Sequence, residues 1–136
     1  MGRHDLSLTD PAVEEFWRER HLCAVTLVRP DGTPHVTPMG IALGTTPGTA
    51  WAITSRISLK ARLLGTDGPI AACQVDGRRW STLHGTASLR TDPESIAEAV
   101  EAYAARYRTP RENPDRVAIH IAITRIVGSL GLHTTA

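Results

Sequence analysis

The sequence predicts a mainly β domain in which six antiparallel strands close into a small barrel with helices at its periphery. Three observations lead to this fold. Short segments with the composition of strands recur along the chain, several are joined by turn sequences such as Pro30-Asp31-Gly32 and Asp76-Gly77, and helical periodicity is confined to a few segments. The 136 residues are about one domain's worth of chain, so we treat residues 1–136 as a single domain.

Two of the helices are each predicted by an aspartate followed by a proline, at Asp10-Pro11 and at Asp92-Pro93. Aspartate caps a helix by accepting a bond from a backbone N–H, and proline suits the first helical position. We expect the first of these helices to end near Arg20. The second lies before the last strand, and its apolar residues at spacings of four, three and four predict one apolar face: Ile96, Val100, Tyr103 and Tyr107.

The six predicted strands span residues 22–29, 35–43, 49–55, 70–75, 79–89 and 116–126. In the second strand, Pro38 cannot donate to a ladder, so it indicates an edge, a bulge or a strand end. In the fifth strand, Gly85 indicates a bulge or a close approach of another backbone. Between the third and fourth strands, Ser58 can cap a short helix that runs through residue 63.

Composition excludes several classes of partner. The formal net charge is +1, which provides no general field for attracting nucleic acid or an anionic membrane. The longest apolar runs are far shorter than the 18 or so residues of a membrane span, and no secretory signal is visible, so we expect a cytoplasmic protein. Cys23 and Cys73 are isolated in apolar contexts and are expected to be buried thiols.

Few residue patterns point to chemistry by the protein itself. None of the six histidines has the short spacing that places two metal ligands on one face of an element, so we expect no metal site. The sequence contains no glycine-x-serine-x-glycine elbow and no glycine-rich phosphate loop. If the protein is an enzyme, a bound cofactor must carry the reaction.

The cations are used unevenly, since the chain has fourteen arginines and a single lysine. Lys60 lies in the short helix directly after Thr54-Ser55, where hydroxyls and backbone N–H groups could bind a phosphate. The alternative is a solvated surface lysine in a chain whose genome favours arginine. Arg78-Arg79-Trp80 and the segment 106–111 also combine cations with aromatic rings, which either bind carboxylates and flat rings or are simply exposed.

Three long stretches carry a resemblance to a known family. The segments HLCAVTLVRPDGTPHVTPMGIA, WAITSRISLKARLL and CQVDGRRWSTLHGTASL resemble the split β-barrel flavin and deazaflavin oxidoreductases related to pyridoxamine phosphate oxidase. This resemblance covers nearly the whole chain. The segment RYRTPRENPDRVAIHIAITRIVGS is longer and more unusual, and it resembles the branch of deazaflavin-dependent biliverdin reductases.

The resemblance implies a homodimer with each cofactor between the subunits, coenzyme F420 as the hydride carrier, and a linear tetrapyrrole as the hydride acceptor. Reduced F420 would convert biliverdin to bilirubin. Two alternatives stay open: an oxidoreductase of the same fold that uses flavin mononucleotide (FMN), and a protein that binds F420 or a tetrapyrrole without turning it over. No residue is assigned as a catalytic acid or base, because hydride transfer depends chiefly on holding two flat molecules face to face.

The resemblance also implies positions for the binding residues. The cofactor's phosphate and acidic tail are expected at Thr54, Ser55, Ser58, Lys60 and Arg62, and its ring system along Thr37, Pro38 and Met39. The residues expected to enclose the cofactor from the partner subunit are Gln74 and Trp80. Charge complementarity alone suggests three arginines for the tetrapyrrole propionates: Arg78, Arg79 and Arg111. The chain departs from the wider family after the lysine helix, where residues 63–67 replace an asparagine and further basic residues.

Overall fold

The computed structural model describes residues 5–129, which form eight strands and three helices. The elements in chain order are β1 (Asp5–Leu6), α1 (Pro11–Arg18), β2 (Cys23–Val28), β3 (Pro34–Met39), β4 (Ala42–Leu43), β5 (Thr49–Ser55), α2 (Leu59–Leu63), β6 (Gly68–Asp76), β7 (Arg79–Arg90), α3 (Pro93–Arg106) and β8 (Arg116–Gly128). All strand pairs in this part of the chain are antiparallel, in the order β3-β2-β6-β7-β8-β5-β4, and β1 pairs with β8. The predicted mainly β, antiparallel class is confirmed.

The described strands number eight rather than the predicted six, for two reasons. The two-residue β1 adds to the end of β8. The predicted strand over residues 35–43 is divided at Gly40 into β3 and β4, because the rings of Tyr103 and Tyr107 pack against this glycine. A Cβ at Gly40 would lie 2.8 Å from the Tyr107 ring and 2.9 Å from the Tyr103 ring, so no larger residue fits without a shift.

Two irregular strand positions, at Pro38 and Gly85, lie where the sequence predicted them. Pro38 lies on β3, which is the end strand of the sheet order, so an edge position is confirmed. Gly85 lies at a register shift between β7 and β8, and a Cβ there would overlap the carbonyl oxygen of Ala122. The predicted bulge with a close backbone approach is therefore confirmed.

The predicted caps are all present. Asp10 accepts a hydrogen bond from the N–H of Ala12, and Asp92 accepts one from the N–H of Ser95, each at 2.9 Å. Ser58 Oγ accepts from the N–H of Ala61 at 3.1 Å and begins α2. The first helix ends at Arg18, two residues before the predicted end, because the chain turns to an extended conformation at the next residue.

The face that α3 buries differs from the predicted apolar stripe. Its fully buried residues are Ala99 and Arg106, whereas the four predicted stripe residues are half-buried. Ala99 packs with Trp51 and Ala118 on the outer side of β5 and β8. A small residue lets the helix lie close to the sheet, and the half-buried Ile96 and Ala102 pack against the same cluster.

The main core lies inside the barrel. Its largest fully buried apolar side chains come from α1, from the strands β2, β7 and β8, and from the β3–β4 connection: Trp17, Phe16, Leu27, Ile41, Leu83, Ile119 and Ile121. α1 therefore closes the barrel interior on one side. Within residues 5–129, no helix has the length and apolar character needed to cross a membrane.

Candidate functional site

The structure brings together the predicted hydroxyl residues where β5 leads into α2. Thr54 Oγ1 donates to Ser58 Oγ at 2.9 Å, and the N–H of Ser58 donates to the carbonyl oxygen of Ser55 at 3.0 Å. The second bond closes a tight turn over residues 55–58. Because Ser58 Oγ also accepts the capping bond from Ala61, its own hydrogen can be donated to another acceptor.

Two cations follow this turn. Lys60 is half-buried and Arg62 is exposed, both on the short helix α2. Neither forms an ion pair with any residue of the described range 5–129. We name Thr54, Ser55, Ser58, Lys60 and Arg62 the hydroxyl–lysine cluster. Its members combine hydroxyl donors with unpaired positive charge, which is the donor set that binds phosphate.

The predicted ring-binding strand is connected to this cluster through the core. Thr37, Pro38 and Met39 lie on β3 and pair with β2, against which α2 packs. Met39 is buried and Pro38 is exposed on the opposite face. Leu64, at the end of α2, shares the barrel core with Met39, so the lysine helix and the β3 edge belong to one packed unit.

Gln74 does not agree with its predicted position in a cofactor site. Its side chain is 1% exposed, and its amide forms hydrogen bonds inside the barrel. Nε2 donates to the carbonyl oxygen of Phe16 at 2.9 Å, while Oε1 accepts from Arg106 at 2.6 Å and from the Cys23 thiol at 3.7 Å. The Gln74 amide thus satisfies two buried donors and one buried acceptor inside the barrel.

The three arginines predicted for the propionates occupy different surroundings. Arg78 is exposed in the two-residue loop between β6 and β7. Arg111 is exposed in the connection between α3 and β8. The guanidinium of Arg79 binds Glu19 at 3.0 Å and also binds Asp76. A carboxylate ligand would have to compete with both of these acidic groups.

Three potential metal-ligating atoms lie within 4.8 Å of one another, one each on Glu19, Asp76 and His21. Arg79 already occupies the space between the two carboxylates, and His21 Nε2 lies 2.9 Å from Glu19 Oε1. The bond from Arg79, and then that from His21, holds the pKa of Glu19 below its ordinary value. The cluster is thus an ion-pair network that joins α1 to the β6–β7 hairpin.

Trp80 and Arg78 lie far from the hydroxyl–lysine cluster along the sheet. Ser55 pairs with Arg116 at the start of β8, whereas the residue after Trp80 pairs with Gly128 at the end of β8. The length of β8 between these points corresponds to roughly 40 Å of extended strand. A single chain therefore presents the two groups at opposite ends of its longest strand.

The outward faces of β2 and β3 form an uncharged surface. Among the residues with this orientation, Val28 is 44% exposed and Val36 is 58% exposed. Val75, on the neighbouring strand β6, is 64% exposed. The outward residues of β2 and β3 are Ala24, Thr26, Val28, Pro34, Val36 and Pro38. We name these six residues the apolar sheet face; a surface of this composition is typical of a protein interface.

A cation that was not predicted from the sequence is buried at the end of α3. Arg106 is 8% exposed, and its guanidinium donates to the carbonyl oxygens of Glu19 and Ile41 and to Gln74 Oε1. These bonds join α3 to the α1–β2 loop, the β3–β4 junction and β6. Burial lowers the pKa of Arg106, because removing the guanidinium from water disfavours its charged form.

Tyr107 completes this junction. Its hydroxyl donates to the carbonyl oxygen of His21 at 2.6 Å and accepts from the N–H of Ile41 at 3.1 Å. Burial raises the pKa of Tyr107. A helical spacing of seven from Ala99 to Arg106 is the signal that could have placed the arginine on the buried side of α3.

A cavity of about 490 Å³ lies between α1, β4 and α3. Its walls include Trp17, Leu43 and Ala102, with Glu98 and Arg18 among its charged residues. None of the predicted site residues lines it. The cavity lies near the start of β5, because Leu43 in its wall pairs with Ala50 there. The hydroxyl–lysine cluster lies at the other end of β5.

The antiparallel sheet with its peripheral helices has the fold of the split-barrel proteins, as comparison with solved structures shows. The structure superimposes on a conserved hypothetical protein, Rv2991, from Mycobacterium tuberculosis with a TM-score of 0.77, covering 94% of this chain and 88% of that chain at 23% identity. It also superimposes on a protein described as an F420 reductase with a TM-score of 0.67, covering 83% of this chain and 94% of that chain at 24% identity. At these identities the matches establish the fold.

Sequence similarity makes the assignment more specific. Residues 9–129 match the pyridoxamine 5'-phosphate oxidase family, and the chain belongs to this family. Over 125 residues it is 41% identical to the F420H2-dependent biliverdin reductase of Mycobacterium tuberculosis (strain CDC 1551 / Oshkosh), covering 92% of this chain and 90% of that protein. The family predicted from the sequence is confirmed.

Proposed function

We propose that this protein is an F420H2-dependent oxidoreductase that reduces biliverdin to bilirubin in the cytoplasm. The observation that carries the proposal is the 41% identity, over 92% of the chain, to a protein named for this activity. The similarity extends through the strands, helices and connections that position the hydroxyl–lysine cluster. Fold alone would not support this choice, since one fold serves many reactions.

The hydroxyl–lysine cluster is suited to the anionic part of F420. Lys60 supplies a positive charge and Ser58 a hydroxyl donor, and charge-assisted hydrogen bonds of this kind are the strong ones. Two cations in α2, Lys60 and Arg62, have no acidic partner within residues 5–129, so neither must be released from an ion pair before binding. The residues present therefore fit a phosphate-containing cofactor.

When bound, reduced F420 supplies the hydride for the reaction. The protein's own residues bind and orient the reactants. We assign the anionic end to Lys60 and Ser58, and the flat ring system to the edge of β3 at Thr37 and Pro38. Arg78 is retained for one propionate because it is exposed and lies two residues before Trp80 in the chain. This division of roles provides orientation and requires no acid or base from the chain.

A homodimer built on the apolar sheet face is the second part of the proposal. Burying exposed valines such as Val36 is favourable, and a stable interface needs about 800 Å² from each partner. The edge strand β3 belongs to this face, so a second subunit would also cover an exposed edge. A partner's Trp80 and Arg78 could then approach a site that they cannot reach within their own chain.

The activity is tested by mixing the purified protein with F420H2 and biliverdin under anaerobic conditions. The absorbance of biliverdin should fall while that of bilirubin rises, at a rate proportional to protein concentration. A control without protein and a control with oxidised F420 measure the background. A rate equal to these controls would refute the proposed reaction.

The dimer has a separate test. Val36→Lys places a charge in the middle of the apolar sheet face, so the variant should elute and scatter light as a monomer while keeping its circular dichroism spectrum. The control Ala105→Lys adds the same charge at an exposed position of α3. If the wild-type protein is monomeric at micromolar concentration, the dimer part of the proposal is wrong.

Two alternatives share the fold and have distinct outcomes. Protein that purifies yellow with FMN, and that binds FMN more tightly than F420, would favour a flavin oxidoreductase. Tight binding of F420 or biliverdin without turnover would favour a binding protein. Parallel titrations with F420, FMN and biliverdin distinguish the three functions.

A further inference from the structure

The unusual connection between α3 and β8 ends in a turn that contacts Arg56, which lies between Ser55 and Ser58 of the hydroxyl–lysine cluster. The N–H of Asp115 donates to Asn113 Oδ1 at 2.9 Å, and the N–H of Arg116 donates to the carbonyl oxygen of Asn113 at 3.1 Å. These bonds fix the backbone just before β8 begins. They place Asp115 beside Arg56, which lies in the turn over residues 55–58.

Asp115 holds Arg56 by both backbone and side chain. The N–H of Arg56 donates to the carbonyl oxygen of Asp115 at 2.8 Å. The guanidinium donates to Asp115 Oδ1 through Nε at 3.0 Å and through Nη2 at 2.7 Å. The two residues are 59 positions apart in the chain, so only the folded sheet brings them together.

This pair acts on the same turn that presents the hydroxyls. Arg56 is the second residue of the turn closed by the Ser58 N–H and the Ser55 carbonyl. Fixing Arg56 therefore restricts the position of Ser58, which receives the bond from Thr54 and begins α2. It also directs the Arg56 guanidinium to a carboxylate of the protein.

We propose that Asp115 is a positioning residue for the anion-binding site: through Arg56 it fixes the turn over residues 55–58 so that Ser58 and Lys60 meet the anionic part of the cofactor. This inference rests on the proposed function, because it takes the hydroxyl–lysine cluster as the cofactor site. It adds a role for the Asn113–Asp115 turn, which makes no direct contact with the ligand in this scheme.

A double-mutant cycle tests the inference. Arg56→Ala, Asp115→Ala and the double variant are titrated with F420 by the fluorescence of the deazaflavin, and kinetic constants are measured with biliverdin in excess. Because exposed ion pairs contribute little, each single variant should weaken F420 binding about twofold to fivefold. The double variant should be no weaker than either single variant, since the two residues act as one unit.

Further measurements separate positioning from general stability. The KM for F420H2 should rise with the Kd while kcat and the melting temperature stay near the wild-type values. Arg125→Ala is the matched control, because it removes an exposed arginine paired with Asp5 at 2.8 Å near the other end of β8. This control should leave the Kd and the KM unchanged.

Each other result has a defined meaning. If Arg56→Ala weakens binding while Asp115→Ala leaves it unchanged or tightens it, Arg56 binds the cofactor directly and the positioning role is wrong. If wild-type protein binds F420 and both single variants bind it equally well, the inference is overturned while the proposed function stands. If wild-type protein does not bind F420, the proposed function fails, and this inference fails with it.

Discussion

Replacing the buried cation at the end of α3 should destabilise the fold strongly. Arg106→Met keeps most of the side-chain volume but removes donors from the carbonyl oxygens of Glu19 and Ile41 and from Gln74 Oε1. The Tyr107 hydroxyl lies 3.3 Å from the Ile41 carbonyl oxygen, but its single hydrogen is already donated to the carbonyl oxygen of His21 at 2.6 Å. All three acceptors therefore lose their strong donor, and each such loss costs about 1–3 kcal/mol.

The loss is partly offset because methionine need not be desolvated as a guanidinium must. We therefore expect the free energy of unfolding to fall by about 3 kcal/mol. Urea unfolding followed by circular dichroism measures this difference. Arg108→Met is the matched control, since Arg108 is an exposed arginine two residues further along the chain. A change below about 1 kcal/mol would mean that burying the charge costs as much as its hydrogen bonds contribute.

Two further predictions concern the cofactor site and acid stability. Lys60→Ala should weaken F420 binding by about tenfold or more, since a charge-assisted contact contributes about 1.5–3 kcal/mol. The control Arg18→Ala should not change the Kd in the same fluorescence titration. If Lys60→Ala binds F420 as tightly as wild type does, Lys60 is a solvated surface residue and not a cofactor ligand. The pKa of Glu19 is held below its ordinary value of 4.5, chiefly by the bond from Arg79. The ionised Glu19 carboxylate therefore stabilises the fold above pH 4.5, and this stabilisation is lost as the pH falls through the lower pKa of the folded state. Melting temperatures of wild type and Glu19→Gln should therefore differ near neutral pH and converge in acid, and a constant difference would contradict this assignment.

Local signals in the sequence were sufficient for the elements whose cause is local. Asp10, Ser58 and Asp92 cap the helices that they were predicted to cap, because a cap bond joins residues two or three positions apart. Thr54 and Ser58 meet for the same reason, since they are only four residues apart. The hydroxyl–lysine cluster could thus be predicted as a group from its position after a strand.

Features that depend on distant parts of the chain could not be predicted in this way. The break at Gly40 is caused by Tyr103 of α3 and by Tyr107 directly after it, more than sixty residues later. The hydrogen bond between Gln74 and Arg106 joins β6 to the end of α3, across residues that lie far apart in the sequence. The Arg56–Asp115 pair likewise arises from the alignment of β5 with β8.

The position of Arg106 has a consequence for the dynamics of α3. A helix ordinarily frays from its ends, where the last residues have the fewest contacts. Here the last residue of α3 is among its most buried, and it is fastened to three segments that are distant in sequence. Opening this terminus would break the hydrogen bonds to the α1–β2 loop, the β3–β4 junction and β6 together. Amide hydrogens at the C-terminal end of α3 should therefore exchange with solvent more slowly than those of its first turns.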